Sequence, residues 1–228
     1  MELTEIKAKI TSEDPQDRMR AITALRDFGP DVAVPLLLMR KDDKEFMIRS
    51  FVAMGLGYKQ SDEAFDALVK IVRTDQDPNV RSEAANSLGK YGEVSIPFLI
   101  EAYEGNDHWL MRLSLFPVLE EMAMATQLSR QQFYDVCTTS LEDKDVMVKA
   151  AGIGGLRHFV DTELEDQAIA ALSPFVAAQR WYLRRQLAMS LKAFPSAKVE
   201  SMVSLLRRDD DHRVVAATLE GLVQSPAS

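Results

Sequence analysis

The chain has 228 residues, 46% of them hydrophobic and 7% aromatic, with 10 glycines and 9 prolines, which excludes a disordered or collagen-like protein and suits a helix-rich array. A formal charge of −8 opposes general affinity for nucleic-acid phosphates, and a lone cysteine, Cys137, excludes an intramolecular disulfide or a thiolate-built zinc or iron–sulfur site. Met1-Glu-Leu-Thr-Glu-Ile6 lacks the pattern of a signal peptide and no apolar run is long enough to span a bilayer, so the expected setting is cytoplasmic.

The first clear pattern is Asp14-Pro-Gln-Asp-Arg18, running through Ala21, Ile22 and Leu25 to Gly29. An aspartate suits an N-cap and a proline the first helical position, so a helix starts there. The same frame is fullest at Asp77-Pro-Asn-Val-Arg81, where Val80, Ala84, Ala85 and Leu88 form one apolar stripe. Taking the basic residue as anchor, equivalents fall at Arg18, Arg49, Arg81, Arg112, Lys149 and Arg184, with Val215 in a degenerate last copy. Spacings of 31, 32, 31, 37, 35 and 31 residues leave room for a second apolar helix in each unit. The first helices are expected near 3–10, 31–40, 61–72, 94–103, 129–141, 163–177 and 197–207. The second are expected near 14–28, 43–57, 78–90, 107–124, 144–160, 179–194 and 211–223, with Gln224–Ser228 frayed. Pro117 falls inside one of them and should kink or split it.

The run Asp-Pro-x-Val-Arg-x-x-Ala-Ala-x-x-Leu-Gly at 77–89 resembles the second helix of a HEAT repeat, and the short unit is similar to the repeats of phycobilin lyases and their relatives. The resemblance covers essentially the whole chain. It implies an all-α fold, an α-solenoid of about seven helical hairpins wound as a right-handed superhelix. The expected organisation is a single domain over 1–228, with repeats near 1–29, 30–58, 59–92, 93–125, 126–160, 161–195 and 196–224. Such arrays mostly imply protein-binding scaffolds, and some are lyases, chaperones or DNA glycosylases.

Four residues before the anchor stands an acid in four copies: Asp14, Glu45, Asp77 and Asp145. That spacing predicts an acid-to-base pair on one helix face, with the acid also capping. Two copies break the rule. His108 replaces the acid before Arg112, leaving Asp107 to cap and pair, and Arg180 replaces it before Arg184 and Arg185, with no following acid nearer than Glu200. Residues 1–177 carry 19 basic and 30 acidic side chains, whereas 178–213 carry 8 and 4. The three arginines therefore form a candidate site for an external carboxylate or phosphate. The alternative is that Asp161, Glu163, Glu165 or Asp166 neutralises them.

Positions 2, 5 and 9 after the anchor face away from the apolar stripe and would line a concave groove. They include Phe51, Met54 and Tyr58, then Glu83, Asn86 and Lys90, and later Met189. Phe51, Met54 and Met189 are candidate partner-binding residues, the alternative being self-packing of a curved array. Trp109, Trp181 and Phe46 each precede an anchor by three residues and could hold a flat ligand or pack on the next repeat.

The three histidines, His108, His158 and His212, lie on different repeats, so no metal is expected. Gly152-Ile-Gly-Gly155 is read as close helix packing rather than a phosphate loop, and Cys137 as core. No catalytic residue and no cofactor is expected. The leading expectation is a non-enzymatic scaffold or assembly chaperone whose groove and basic C-terminal patch grip a protein with an acidic surface. The alternative, which the resemblance implies, is a phycobilin lyase subunit or pigment-protein chaperone meeting a bilin-bearing protein. A HEAT-like DNA glycosylase is a third reading, opposed by the charge.

Overall fold

A computed structural model describes residues 1–105 and 108–220. Among these, the chain runs as a succession of helical hairpins. The first helices are α1 (Leu3–Ile10), α3 (Pro30–Leu38), α5 (Asp62–Thr74), α7 (Ile96–Glu104), α9 (Arg130–Leu141), α11 (Glu165–Leu172) and α13 (Ser196–Leu206). Each is followed by its partner: α2 (Pro15–Ala24), α4 (Phe46–Tyr58), α6 (Pro78–Gly89), α8 (Trp109–Met124), α10 (Val146–Gly155), α12 (Trp181–Leu191) and α14 (His212–Leu219). The all-α, solenoid class follows directly. Backbone packing divides the array into two compact units, Met1–Leu128 with α1–α8 and Ser129–Ser228 with α9–α14. The expected fraying of 224–228 and the role expected of Asp107 lie outside the described residues.

The helices start where their caps dictate. Asp14 accepts from the Gln16 amide at 2.9 Å, Asp77 from Asn79 at 2.8 Å, Asp145 from Met147 at 2.8 Å and Asp211 from Arg213 at 2.9 Å. Each satisfies one of the amides that a helix start leaves without a partner. His108 does the same for α8, its Nδ1 accepting from Leu110 at 3.3 Å. Ser129 and Gln132 close a reciprocal capping box on α9.

Within the first unit α2, α4, α6 and α8 pack in series, each also against its own first helix, and in the second unit α10, α12 and α14 repeat the arrangement. The stripe read from the sequence is the core: Val80, Ala84, Ala85 and Leu88 are fully buried, as are Ile48, Val52 and Leu56 one repeat earlier. Full burial of each large aliphatic side chain contributes about 1.5–3 kcal/mol. Small residues set the closest approaches. A Cβ on Gly57 would come within 2.6 Å of Ser87 Cβ, and one on Gly152 within 2.6 Å of Ser140 Cβ and 2.7 Å of the Cys137 carbonyl oxygen. Cys137 itself is buried.

Of the kink or split expected at Pro117, the split is corrected. α8 runs as a single helix of 16 residues through it. The lost amide bond is outweighed by packing, since Leu115, Phe116 and Leu119 around it are all buried.

The expected pairing of the anchor with the acid four residues before it is corrected for Arg18, Arg49 and Lys149. Asp14, Asp77 and Asp145 accept from backbone amides, and Arg18 and Arg49, like Arg184, reach an acid of the following repeat instead. Arg18 Nη2 donates to Asp43 Oδ1 at 3.0 Å while its Nε lies 2.8 Å from Oδ2. Arg49 donates to both oxygens of Asp75 at 2.7 and 2.9 Å. Arg184 does the same with Asp209, the Nη2 bond measuring 2.8 Å. The remaining guanidinium nitrogen of each donates to carbonyls of its own preceding turn: Ser12 and Glu13, Asp43 and Lys44, Ala178 and Gln179. Each accepting aspartate also takes the amide two residues on, as Asp75 does from Asp77 at 2.9 Å. A planar fork with several donors satisfies all these acceptors from one side chain, which lysine cannot do. Lys149 donates to the Leu141 carbonyl instead, at 2.6 Å, and Ala178 occupies the slot where the next acid would stand.

Candidate functional site

The first unit holds an open cavity of about 520 Å³ against α4, lined by Ile22, Thr23, Leu25, Leu37, Phe51, Met54, Gly55 and Tyr58, with Arg26 and Lys59 at its rim. Phe51, Met54 and Tyr58 recur at three and four residues along α4, so one face of that helix supplies the wall. The cavity exists because Gly55 carries no side chain there and Thr23, on α2, is short. Met54 is 36% exposed and Tyr58 69% exposed, a large apolar surface to leave in water. Lys59 is tied across the rim, its Nζ donating to the Arg26 carbonyl at 2.7 Å.

The register of α4 against α6 carries the groove positions onward. Gly57 meets Ser87, and the Lys90 ammonium sits 4.7 Å from the centroid of the Tyr58 ring. Tyr58 and Lys90 are 32 residues apart, the same spacing that separates Phe51 from Glu83 and Met54 from Asn86. Burial pushes the Glu83 carboxyl above its usual range, against a smaller opposing pull from Lys90.

The other expected site residues are not among those that line this cavity. Trp109, at the start of α8, is 44% exposed and stacks on His108 with ring centroids 6.0 Å apart. Met189, on α12 in the second unit, is 38% exposed. Trp181 is taken up within that unit: the Arg213 guanidinium lies 3.4 Å from its ring centroid, and Arg213 is itself held by both oxygens of Asp211.

The arginine cluster resolves into unequal members. The expectation that all three guanidinium groups lack an internal acid is corrected for Arg184, which Asp209 holds. Three of the four acids that could neutralise them are engaged elsewhere, Glu163 with Arg130 at 2.6 Å and Glu165 and Asp166 with Lys198. Arg180 is exposed and Arg185 half-buried, and neither has an ion-pair partner among the described residues.

Sequence reasoning missed the near wall of the cavity. Thr23 stands at the same offset from Arg18 that Met54 has from Arg49, so extending the groove positions to the first copy would have found it, whereas Ile22 and Leu25 fall at positions of the apolar stripe. It also missed Asp43, Asp75 and Asp209, whose signal is an aspartate recurring six residues before an anchor slot.

Among the described residues no group of three or more His, Cys, Asp or Glu could hold a metal ion, and no helix is long and apolar enough to cross a membrane.

The alternation of short antiparallel helices, with a capped Asp-Pro start and a buried arginine, defines a solenoid of HEAT type. Residues 39–120 match the family model for HEAT repeats, so the class is met in sequence as well as in structure. Over nearly its whole length the fold is similar to a chain of the complex of CpcE and CpcF of phycocyanin lyase from Nostoc sp. The TM-score is 0.53 at 17% identity, covering 96% of this chain and 94% of that one, a likeness of fold alone. In sequence the chain is similar to deoxyhypusine hydroxylase of Drosophila melanogaster, 31% identical over 90 residues, and of Bos taurus, 33% identical over 89 residues. These matches take in 39% of this chain but only 30% and 29% of the relatives.

The relatives correct the expectation of a non-enzymatic scaffold or assembly chaperone: the matched proteins are named as enzymes. The likeness to the phycocyanin lyase chain accords with the resemblance to phycobilin-lyase repeats and, at 17% identity, is one of fold.

Proposed function

We propose that this chain is a HEAT-repeat component of an enzyme acting on a protein, and that the cavity under Phe51, Met54 and Tyr58 seats an apolar segment of that protein. The observation that carries this reading is the cavity itself, about 520 Å³ with an apolar lining and an open mouth, within the range that ligand pockets occupy. Phe51, Met54 and Tyr58 fall inside the stretch that matches the HEAT model. The enzyme setting rests on the named relatives. A protein with carboxylates on its surface would find a further contact in Arg180 and Arg185 of the second unit. A cytoplasmic setting accords with a single cysteine that is buried.

Hydroxylation draws on a metal, haem or flavin to handle oxygen. The described residues do not fit a metal centre: His108 caps α8, His158 lies 6.2 Å from Phe133 ring to ring, and His212 opens α14. No oxidation step is assigned to them.

The test compares intact masses of soluble proteins from native cells with and without the chain. A protein that loses a modification, restored by the wild type but not by Met54→Asp, supports the reading. An unchanged mass profile would count decisively against an enzymatic role.

A further inference from the structure

The cavity against α4 is apolar inside and basic at its mouth. Residues 1–128 carry 15 basic and 22 acidic side chains, yet both charged residues of the cavity wall, Arg26 and Lys59, are cations. Neither is satisfied where it stands. The Lys59 ammonium gives one of its three donors to the Arg26 carbonyl at 2.7 Å and makes no ion pair among the described residues. The Arg26 Nε lies 3.5 Å from Asp27 Oδ1, with the two side chains 79% and 71% exposed, a pair that water screens and that contributes little. Asp27 itself is not part of the cavity wall. A third cation, the Lys90 ammonium, lies 4.7 Å from the ring centroid of Tyr58, which is part of that wall. A second hollow of about 370 Å³ on α2 shares Thr23 and Arg26 with the cavity and adds Met19, Arg20, Ala24 and Asp27. The two adjoin across the shared residues, a trough that fits a stretch of chain better than a compact small molecule.

Resting on the reading of the cavity as a seat for a protein segment, we infer that the segment is acidic: an apolar side chain enters under Phe51, Met54 and Tyr58, and carboxylates next to it in sequence meet Arg26 and Lys59. Guanidinium and ammonium are donors without acceptor capacity, and their bonds to an ionised carboxylate are stronger than those to a neutral amide or hydroxyl. Apolar walls add to the attraction by excluding water and focusing the field at the mouth. A basic segment would set like charges side by side at the rim, a cost that selects against it. The chain runs on over Thr23 and Arg26 into the second hollow, where Met19 offers a further apolar contact.

The test titrates the end-blocked peptides Asp-Asp-Leu-Asp-Asp, Asn-Asn-Leu-Asn-Asn and Lys-Lys-Leu-Lys-Lys into the full chain while the labelled Met54 methyl resonance is followed. The acidic peptide should bind about tenfold more tightly than the neutral one, and the basic peptide more weakly than either. Raising the salt to about 1 M, where charges are screened within about 3 Å, should bring the three together. Arg26→Gln and Lys59→Gln should each weaken the acidic peptide by about threefold and leave the neutral one unchanged. Lys70→Gln, which removes the same charge from an exposed position on α5, should change neither. Hexanoate carries an apolar chain and a carboxylate without a peptide backbone and should bind more weakly than the acidic peptide; the reverse order would overturn the protein segment in favour of a small amphiphile. Equal affinity for the three peptides at low salt would overturn the acidic segment while the cavity reading stands. No shift of Met54 with any peptide would overturn both.

Discussion

At the scale of single residues, what distinguishes the ion pairs is burial. Arg18 and Asp43 are 3% and 7% exposed, and the arginine's other donors are spent on backbone carbonyls, so removing the aspartate strands a charge in the core. Asp43→Ala should cost about 3–5 kcal/mol, read as a lower urea midpoint at unchanged slope. Glu163→Gln, at the exposed pair with Arg130, should leave the midpoint unmoved. The Arg184 guanidinium beside Asp209 holds that carboxyl below its usual range, partly countered by burial. A depressed folded-state pKa adds stability that is present above the unfolded value, about 3.9, and is lost as pH falls through the folded one. Unfolding midpoints should therefore drop between about pH 4 and about pH 2, and drop less steeply in Asp209→Asn.

At the scale of helices, two features set how neighbouring hairpins hold together. Gly152 lets α10 approach α9 so closely that a methyl group would collide with Ser140 and the Cys137 carbonyl. Gly152→Ala should cost about 1–3 kcal/mol by overpacking despite its better helix propensity, as thermal melting would show. The second feature is a missing rung. Where three arginines reach an aspartate of the next repeat, Lys149 stops at the Leu141 carbonyl and Ala178 offers no carboxylate. Lys149→Arg with Ala178→Asp should restore the rung and stabilise α10 against α12. Neither change alone should help, so a double-mutant cycle is expected to give a favourable coupling of about 0.5–3 kcal/mol.

At the scale of the whole molecule, each repeat depends on its neighbours for a closed core, so stability within each unit sums over repeats and the faces between them. α4 and α6 are packed on both sides within the first unit, whereas α1 and α14 have a neighbour on one side only among the described residues. Amide exchange followed by mass spectrometry should find α4 and α6 slowest in that unit, and α1 and α14 exchanging early. Uniform protection along the array would contradict this.

The periodic positions read true because the helical period and the repeat period are both local. Val80, Ala84, Ala85 and Leu88 had to face inward, Asp14 and Asp77 had to cap, and the grouping of Phe51, Met54 and Tyr58 on one face follows from their spacing alone. What the amino-acid sequence determined was thus the class of fold, the hairpin order and the composition of each helix face. Only the tertiary structure decided which acid each anchor arginine holds, because Asp43, Asp75 and Asp209 lie 25 or 26 residues away and compete with capping acids only four residues off. It likewise decided that α4 borders a cavity and that Asn86 Oδ1 stays without a donor. Both depend on the volume left between helices from different repeats, which no spacing within one helix encodes.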